Sequence, residues 1–361
     1  MDRSGPLSGT RVVEFVGLGP GPFAAMLLAD AGADVIRVDR PRPPVDGGAL
    51  TRGRPLLNLD LKSTDDLDRA KELIERADVL IEGFRPGVME KLGLGPEPCL
   101  AANERLVYGR MTGWGQDGPR AWEAGHDINY LSLTGALRSF ARHGERPVPP
   151  LNVVADYGGG GLLLAFGILT ALHDRERSGR GQVVDAAMVD GVSLLMTGIW
   201  SRQAQGRWPG EPGRNELDTG APFYDVYTTA DGQYMAVGSI EPQFWSRLLE
   251  GLGIDPATLP DQWDRDRWPE VKQRIADRFA ERTRAEWTEI FDRLDACVTP
   301  VLSMAEAVED PHLRERGTLL DAVDGPQPAP APRLSRTPHA TRDASTIEEA
   351  LQRWGVGPAP A

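Results

Sequence analysis

Arg11-Val12-Val13-Glu14-Phe15-Val16, followed by Gly17-Leu18-Gly19-Pro20-Gly21-Pro22, is the stretch on which the fold turns. The first six residues, rich in valine and ending on an aromatic, read as a strand. The glycine-proline run after them reads as a tight turn. An Ala/Leu/Met-rich helix follows, then Gly32, then a second strand over 34–39. Farther out, 56–61 (Leu-Leu-Asn-Leu-Asp-Leu) reads as a strand. Ser63 then caps a helix with apolar residues at Leu67, Leu73 and Ile74, and Asp65 and Asp66 suit its positive end. Strands over 78–84 and near 106–112 come next. Strands alternating with helices of this length predict βαβ units on a parallel sheet, hence an α/β fold with a Rossmann-like large domain.

Residues 151–200 read as two long helices around a strand at Gln182-Val183-Val184-Asp185. Residues 201–220 are polar, glycine-rich and tryptophan-containing, and read as a linker. A smaller α+β domain is expected over 221–315, with a strand at 233–238, a helix from Pro242 and two charged helices between 269 and 294. Residues 316–361 form a C-terminal segment whose proline-rich part, 324–338, is read as extended. The large domain is accordingly placed at 1–200.

At 361 residues the chain is long enough for two domains and a substantial core. A net charge of −13 argues against nucleic-acid or anionic-membrane binding, which call for basic surfaces. It leaves room for a local basic pocket. Cys99 and Cys297, far apart and in no metal spacing, suggest free thiols in a reducing compartment. No basic-then-apolar leader pattern opens the chain, and Pro358-Ala359-Pro360-Ala361 resembles no receptor-read address. The longest apolar run, Leu162 to Leu172, stops at His173-Asp174 and reads as a buried helix too short to span a bilayer. A cytoplasmic protein without membrane insertion is expected.

The loop 17–22 has the look of a dinucleotide fingerprint, with Asp39 where a ribose-binding acid would stand. Pro22 occupies its third glycine position, however, and Pro20 and Pro22 remove two N–H donors that would face a pyrophosphate. A tight turn is the better reading. No Walker loop, metalloprotease helix, nucleophile elbow or Cys-x-x-Cys occurs, and the five histidines are scattered at 126, 143, 173, 312 and 339, so no metal site is expected.

Two titratable side chains stand at expected helix entrances. His126 lies in Ala124-Gly125-His126-Asp127-Ile128-Asn129-Tyr130, after a turn-rich loop, where the amides of 126–128 have no helical partner. Asp156 lies in Asn152-Val153-Val154-Ala155-Asp156-Tyr157, ahead of four glycines and an apolar helix. Taken separately, a histidine at a helix start is usually structural, and an aspartate before a helix usually a cap. Spacing alone does not bring the two together.

The chain resembles the class III CoA-transferase superfamily, and within it the α-methylacyl-CoA racemase branch. The resemblance runs through Gly5-Pro6-Leu7-Ser8-Gly9, 32–39, 78–87 (Asp-Val-Leu-Ile-Glu-Gly-Phe-Arg-Pro-Gly), 110–116 (Arg-Met-Thr-Gly-Trp-Gly-Gln), 125–130 and 181–191. It implies an isomerase that racemises C2 of 2-methyl-branched acyl-CoA thioesters, with His126 and Asp156 as the catalytic pair. Glu241 would support the histidine, and Asp127 and Asn152 would stand near the site. The resemblance places the coenzyme A moiety near Arg40, Leu59, Asp60, Leu61, Lys62, Gly83, Phe84, Arg85, Lys91, Gly125 and Tyr130. It also implies an interlocked homodimer, with the C-terminal segment returning to the large domain. In the transferase branch the aspartate matching Asp156 carries the acyl group, and the position of His126 is typically aromatic. A CoA-transferase is therefore the alternative.

The chemistry suits these residues. A thioester α-proton is weakly acidic, so its removal requires a placed base and a donor for the enolate oxygen. Inversion requires a second group on the opposite face. Amides near Asp127 at a helix start would serve the enolate, and Glu241 would orient the imidazole. No cofactor is needed beyond the coenzyme A of the substrate. Lys91 stands where the family pattern has arginine, which keeps the charge and loses the bidentate fork. Met188 and Met196 suit an adaptable acyl surface or, preferably, a plain core helix.

Overall fold

The computed structural model describes residues 5–41 and 48–357. The ends of the expected first domain and C-terminal segment, and Pro358-Ala359-Pro360-Ala361, lie outside those residues. In chain order the elements are β1 (Arg11–Phe15), α1 (Pro20–Asp30), β2 (Asp34–Asp39), β3 (Leu56–Asn58), α2 (Thr64–Glu75), β4 (Val79–Glu82), α3 (Val88–Lys91), α4 (Pro96–Ala102), β5 (Val107–Thr112), α5 (Asp127–Leu133) and α6 (Ala136–Ser139). A π-helix (Val153–Leu162), α7 (Leu163–Ser178), β6 (Val183–Ala187), α8 (Met188–Leu195) and α9 (Thr197–Ala204) follow. Then come β7 (Tyr224–Thr228), β8 (Tyr234–Gly238), α10 (Pro242–Leu252), α11 (Trp268–Phe279), α12 (Arg284–Phe291), β9 (Val298–Pro300), α13 (Met304–Glu309), α14 (Pro311–Arg316), β10 (Leu319–Leu320), β11 (Gln327–Pro328) and α15 (Ile347–Trp354).

Strands β1 to β6 form one parallel sheet in the order β3-β2-β1-β4-β5-β6. The period-2 pattern of β1 explains its seat. Val13 and Phe15 face a core built with Leu73 and Ile74 of α2, Cys99 of α4 and Leu351 and Trp354 of α15. Glu14, on the other face, is fully buried in an ion pair with Arg54 at 2.5 Å. The order reverses between β1 and β4, and ligands of such sheets bind outside the strand ends at that point.

The chain divides into two units: 1–134, 150–195 and 314–361 in the first, and 135–149 and 196–313 in the second. The boundaries differ from the sequence reading, by a few residues at 196–200 and 314–315 and more widely in two places. Residues 135–149 go with the second unit, where Arg214 meets the His143 ring at 3.1 Å. Residues 201–220 are an ordered part of that unit rather than a linker. There the Asp218 carboxylate accepts from the amides of Gly213 and Asn215 and from the Asn215 side chain. Their polarity serves internal hydrogen bonds, so composition misread them as solvated. The second unit also holds an antiparallel sheet β7-β8-β9, of which only β8 was anticipated.

Smaller differences have local causes. β3 ends at Asn58, because Asp60 to Ser63 turn back through a Ser63 N–H to Asp60 carbonyl bond. Ser63 occupies the N-cap of α2, yet its side chain makes no capping bond. After β6 the chain forms two short helices, α8 and α9, instead of one long one. The apolar run is longer than expected, since helix continues through the glycines from Val153 to Ser178. Those 26 residues, with a window of mean hydropathy 1.5, are long and apolar enough to cross a membrane by length and composition, and only 39% of that window is buried. The expectation of a short, buried helix is thereby corrected.

Candidate active site

Two cavities open at the C-terminal edge of the sheet in the first unit. One, of about 520 Å³, has an apolar floor of Val38, Leu59 and Leu92. Exposed cations stand around it: Arg40 after β2, Lys62 after β3 and Lys91 at the end of α3. Asp60 and Leu61 line it too, and the Asp60 carboxylate accepts from the Lys62 amide at 3.1 Å. The other, of about 530 Å³, lies among the loops after β1 and β4, the end of β5 and the start of α5. Gly83, Arg85, Gly125, His126, Tyr130 and Asp156 line this second cavity. Phe15, Val16 and Phe84 belong to both. The cavities thus share a wall.

His126 and Asp156, thirty residues apart in sequence, face the same space. His126 is exposed at the N-cap of α5. Its own amide donates to Asn129 Oδ1 at 3.0 Å. Among the described residues this leaves the amides of Asp127 and Ile128 as the unpartnered donors of that helix start. Asp156 is half-buried in the first turn of the π-helix. Burial pushes its carboxyl up, the charge of Asp127 pushes the same way, and the Asn152 hydrogen bond and His126 pull it back.

Asp127 and Asn152 do not line the cavity; they hold what does. Asp127 is 4% exposed, and its Oδ2 accepts from the amides of Ala155 at 2.7 Å and Asp156 at 2.9 Å. One carboxylate therefore ties the helix start carrying His126 to the one carrying Asp156. Asn152 Nδ2 donates to Asp156 Oδ2 at 3.1 Å. Tyr130 packs edge-on to Trp114, with ring centroids 4.8 Å apart, and burial pushes its phenol up to about 12. It faces the cavity as a protonated hydroxyl. Glu241 belongs to the second unit, at the N-cap of α10, where its carbonyl accepts from Phe244 and Trp245. Met188 is buried and lines the second cavity, whereas Met196 precedes α9 in the second unit.

The glycine-proline loop does more than turn the chain. Gly17, Leu18, Pro20 and Gly21 line the second cavity. Gly19 has φ +62°, and a Cβ there would lie 3.0 Å from Asp156 Oδ2. Such a Cβ would press on the carboxylate, and the left-handed φ itself favours glycine. The four-glycine run has a matching reason. A Cβ on Gly191 of α8 would fall 1.8 Å from the Gly159 carbonyl oxygen, so the π-helix and α8 touch backbone to backbone. Both approaches are tertiary, and the sequence signalled them only as glycine clusters.

Residues 7–345 match the model of CoA-transferase family III. The chain belongs to that family. Among its relatives, the mouse protein named alpha-methylacyl-CoA racemase is 51% identical over 97% of this chain and 93% of its own. The human protein of the same name is 52% identical over 92% of this chain and 87% of its own. The crystal structure of a CAIB/BAIF family protein from Brucella suis superposes with a TM-score of 0.81 at 26% identity, covering 98% of this chain and 99% of that one. Every candidate site residue of this family member, from Arg40 to Glu241, lies inside the span the family model matches. Among the described residues no group of three or more His, Cys, Asp or Glu side chains is placed to hold a metal ion.

Proposed function

We propose that this member of CoA-transferase family III is an isomerase that racemises C2 of 2-methyl-branched acyl-CoA thioesters. The observation that carries the reading is that His126 and Asp156 line one cavity from two helix starts joined by Asp127. The names of the mouse and human relatives support it. The thioester lies in the second cavity, and the nucleotide end of coenzyme A lies in the first, with its phosphates near Arg40, Lys62 and Lys91.

One proton is shared by the pair. With His126 neutral and Asp156 protonated, His126 takes the α-proton and Asp156 returns one to the opposite face. The pair is left with His126 protonated and Asp156 ionised, ready for the reverse reaction on the other stereoisomer. A carboxyl raised by burial suits this exchange, because its proton affinity moves toward that of an imidazole. The amides of Asp127 and Ile128 stabilise the enolate oxygen. By the family resemblance, Glu241 is the group expected to fix the imidazole tautomer. The thioester supplies the acidity, and no cofactor beyond coenzyme A takes part.

The same reading makes the protein an interlocked homodimer of a reducing, cytoplasmic compartment. Leu133, Leu162, Phe166, Leu194 and Leu195 are each more than half exposed in the single chain, and a second copy would cover them. Membrane insertion is the poorer account of the 153–178 helix, which carries Asp156 on the cavity and packs closely on α8.

The test uses a single-enantiomer 2-methylacyl-CoA in D2O with no acceptor acid. Deuterium at C2 with loss of optical purity is expected. No exchange, with acyl transfer once an acid is added, would replace the racemase by the transferase reading. Light scattering in solution gives the oligomeric state, with two copies expected.

A further inference from the structure

A charged chain, buried at Glu82 and Arg110 and exposed at Glu90, lies beside the wall that the two cavities share. Glu82 ends β4, Arg110 is its partner across β5, and Asp185 is the next across β6. Glu82 Oε1 accepts from Arg110 Nε at 3.0 Å, and Oε2 accepts from the Phe84 amide at 2.7 Å. Arg110 Nη1 meets Glu90 Oε1 of α3 at 2.9 Å. The Glu82 and Arg110 side chains are 1% and 9% exposed. None of Glu82, Arg110, Glu90 and Asp185 lines either cavity. Yet the segments they hold do: Phe84 lines both, and Val88 and Lys91 of α3 line the first. A buried ion pair seldom stabilises more than apolar residues of the same size, so its use at a strand end points to geometry.

We propose that Glu82, Arg110 and Glu90 are positioning residues that fix the Phe84 wall and α3, and so set the spacing between the coenzyme cavity and the reaction cavity. The proposal deepens the function proposed above and rests on its assignment of the two cavities. The chain acts on how a long substrate spans both cavities, and not on the proton transfer itself. The charged or titratable groups around Glu82 are Arg110, Glu90 and Tyr108, whose ring lies 5.9 Å from the Arg110 guanidinium; Asp185 faces Arg110 from β6. Burial pushes the Glu82 carboxyl up to about 7, against the pull of the Phe84 amide and Arg110. Near neutrality, then, falling pH neutralises Glu82 and weakens its hold on Arg110.

The test compares two thioesters of one 2-methyl acid, with coenzyme A and with N-acetylcysteamine. The second lacks the nucleotide and fills only the reaction cavity. A glutamine at 82 accepts from one of its two donors and sets its NH2 against the other. Glu82→Gln is therefore expected to raise KM for the CoA thioester about tenfold with kcat changed less than about twofold, while kcat/KM for the short thioester stays within about twofold. Wild-type KM for the CoA thioester should rise as pH falls through about 7, and the variant should lack that rise. Equal losses on both thioesters, no loss on either, or parallel pH profiles would overturn the proposal. If Glu82→Gln fails to fold, Glu90→Gln is read instead, with the same split and about a threefold rise in KM. If wild-type protein exchanges neither substrate, the racemase reading fails by itself. Calorimetric titration with free coenzyme A then decides: about tenfold weaker binding by the Glu82 variant supports the positioning role, and equal binding ends it.

Discussion

The two cavities at the sheet edge are nearly equal in volume, about 520 and 530 Å³, and opposed in chemistry. The first sets exposed cations over an apolar floor. The second sets His126, the half-buried Asp156 carboxyl and the Tyr130 phenol among loop backbone, with Arg85 and Glu123 also on its wall. Exposed cations on strand ends need only be near a phosphate, because charge acts at a distance and tolerates small displacements. Proton transfer requires heavy atoms within about 3 Å of the reacting carbon's proton, so its groups must be held from behind. Asp127, Asn152 and Gly19 do that holding; at the first cavity the contacts hold backbone, through Asp60 on the Lys62 amide and Glu90 of α3 on Arg110, and leave the cationic heads exposed. The comparison teaches that the second cavity should be brittle and the first forgiving.

Removing the proton carriers should break the comparison hardest. His126→Ala and Asp156→Ala are each expected to slow deuterium exchange at C2 by ~10³-fold or more, with binding of free coenzyme A changed less than about twofold. A variant that keeps full exchange would remove its residue from the catalytic pair. Gly19→Ala comes next. Its Cβ would press on Asp156 Oδ2 and strain a backbone at φ +62°. A kcat lower by ~10- to 100-fold at nearly unchanged KM is expected in steady-state kinetics. An unaltered kcat would mean that the carboxylate does not need that seat.

Asp127→Ala leaves the amides of Ala155 and Asp156 without their acceptor. Denaturant unfolding should show a loss of about 1–3 kcal/mol, and kcat should fall about tenfold. On the forgiving side, Lys91→Ala should raise KM for the CoA thioester only about fivefold, and the difference from wild type should shrink in high salt. The smallest effect concerns stability. The folded protein holds the Glu82 proton up to about 7, against an ordinary value of 4.5. The folded state therefore binds more protons than the unfolded one through that window. This contribution is whole below about 4.5 and lost as pH rises through about 7. Tm should drop by about a few degrees between pH 5 and 8, and Glu82→Gln should flatten the drop in scanning calorimetry.

Much of the first unit was legible because its signals are local. β1, β2 and β5 carry strand patterns, the helices between them carry turn and cap residues, and alternation implies a parallel sheet. Arg40, Leu59 to Lys62, Phe84 and Lys91 stand on one cavity because strand ends of such a sheet converge. The failures also have reasons. Residues 201–220 looked solvated because side chains that bond one another, as Asn215 and Asp218 do, have the composition of a loop. Glu14 passed as an ordinary strand residue, and its buried partner Arg54 is forty residues away. Residues 17–22 have the pattern of a plain turn, since nothing within them announces that Asp156 lies against Gly19.

The amino-acid sequence by itself determined the α/β class, the order of strand and helix in the first unit and, through the motifs around them, His126 and Asp156 as the residues to watch. Hydrophobic period and turn chemistry act over a few residues, and so they are written in the chain. The tertiary structure decided that the two residues face one cavity, that Asp127 joins their helix starts, and that a glycine backbone seats the carboxylate. It also decided that a charged chain from Glu82 to Glu90 backs the wall between two cavities. Those are distances between segments tens of residues apart, and they come into being only when the sheet and helices pack.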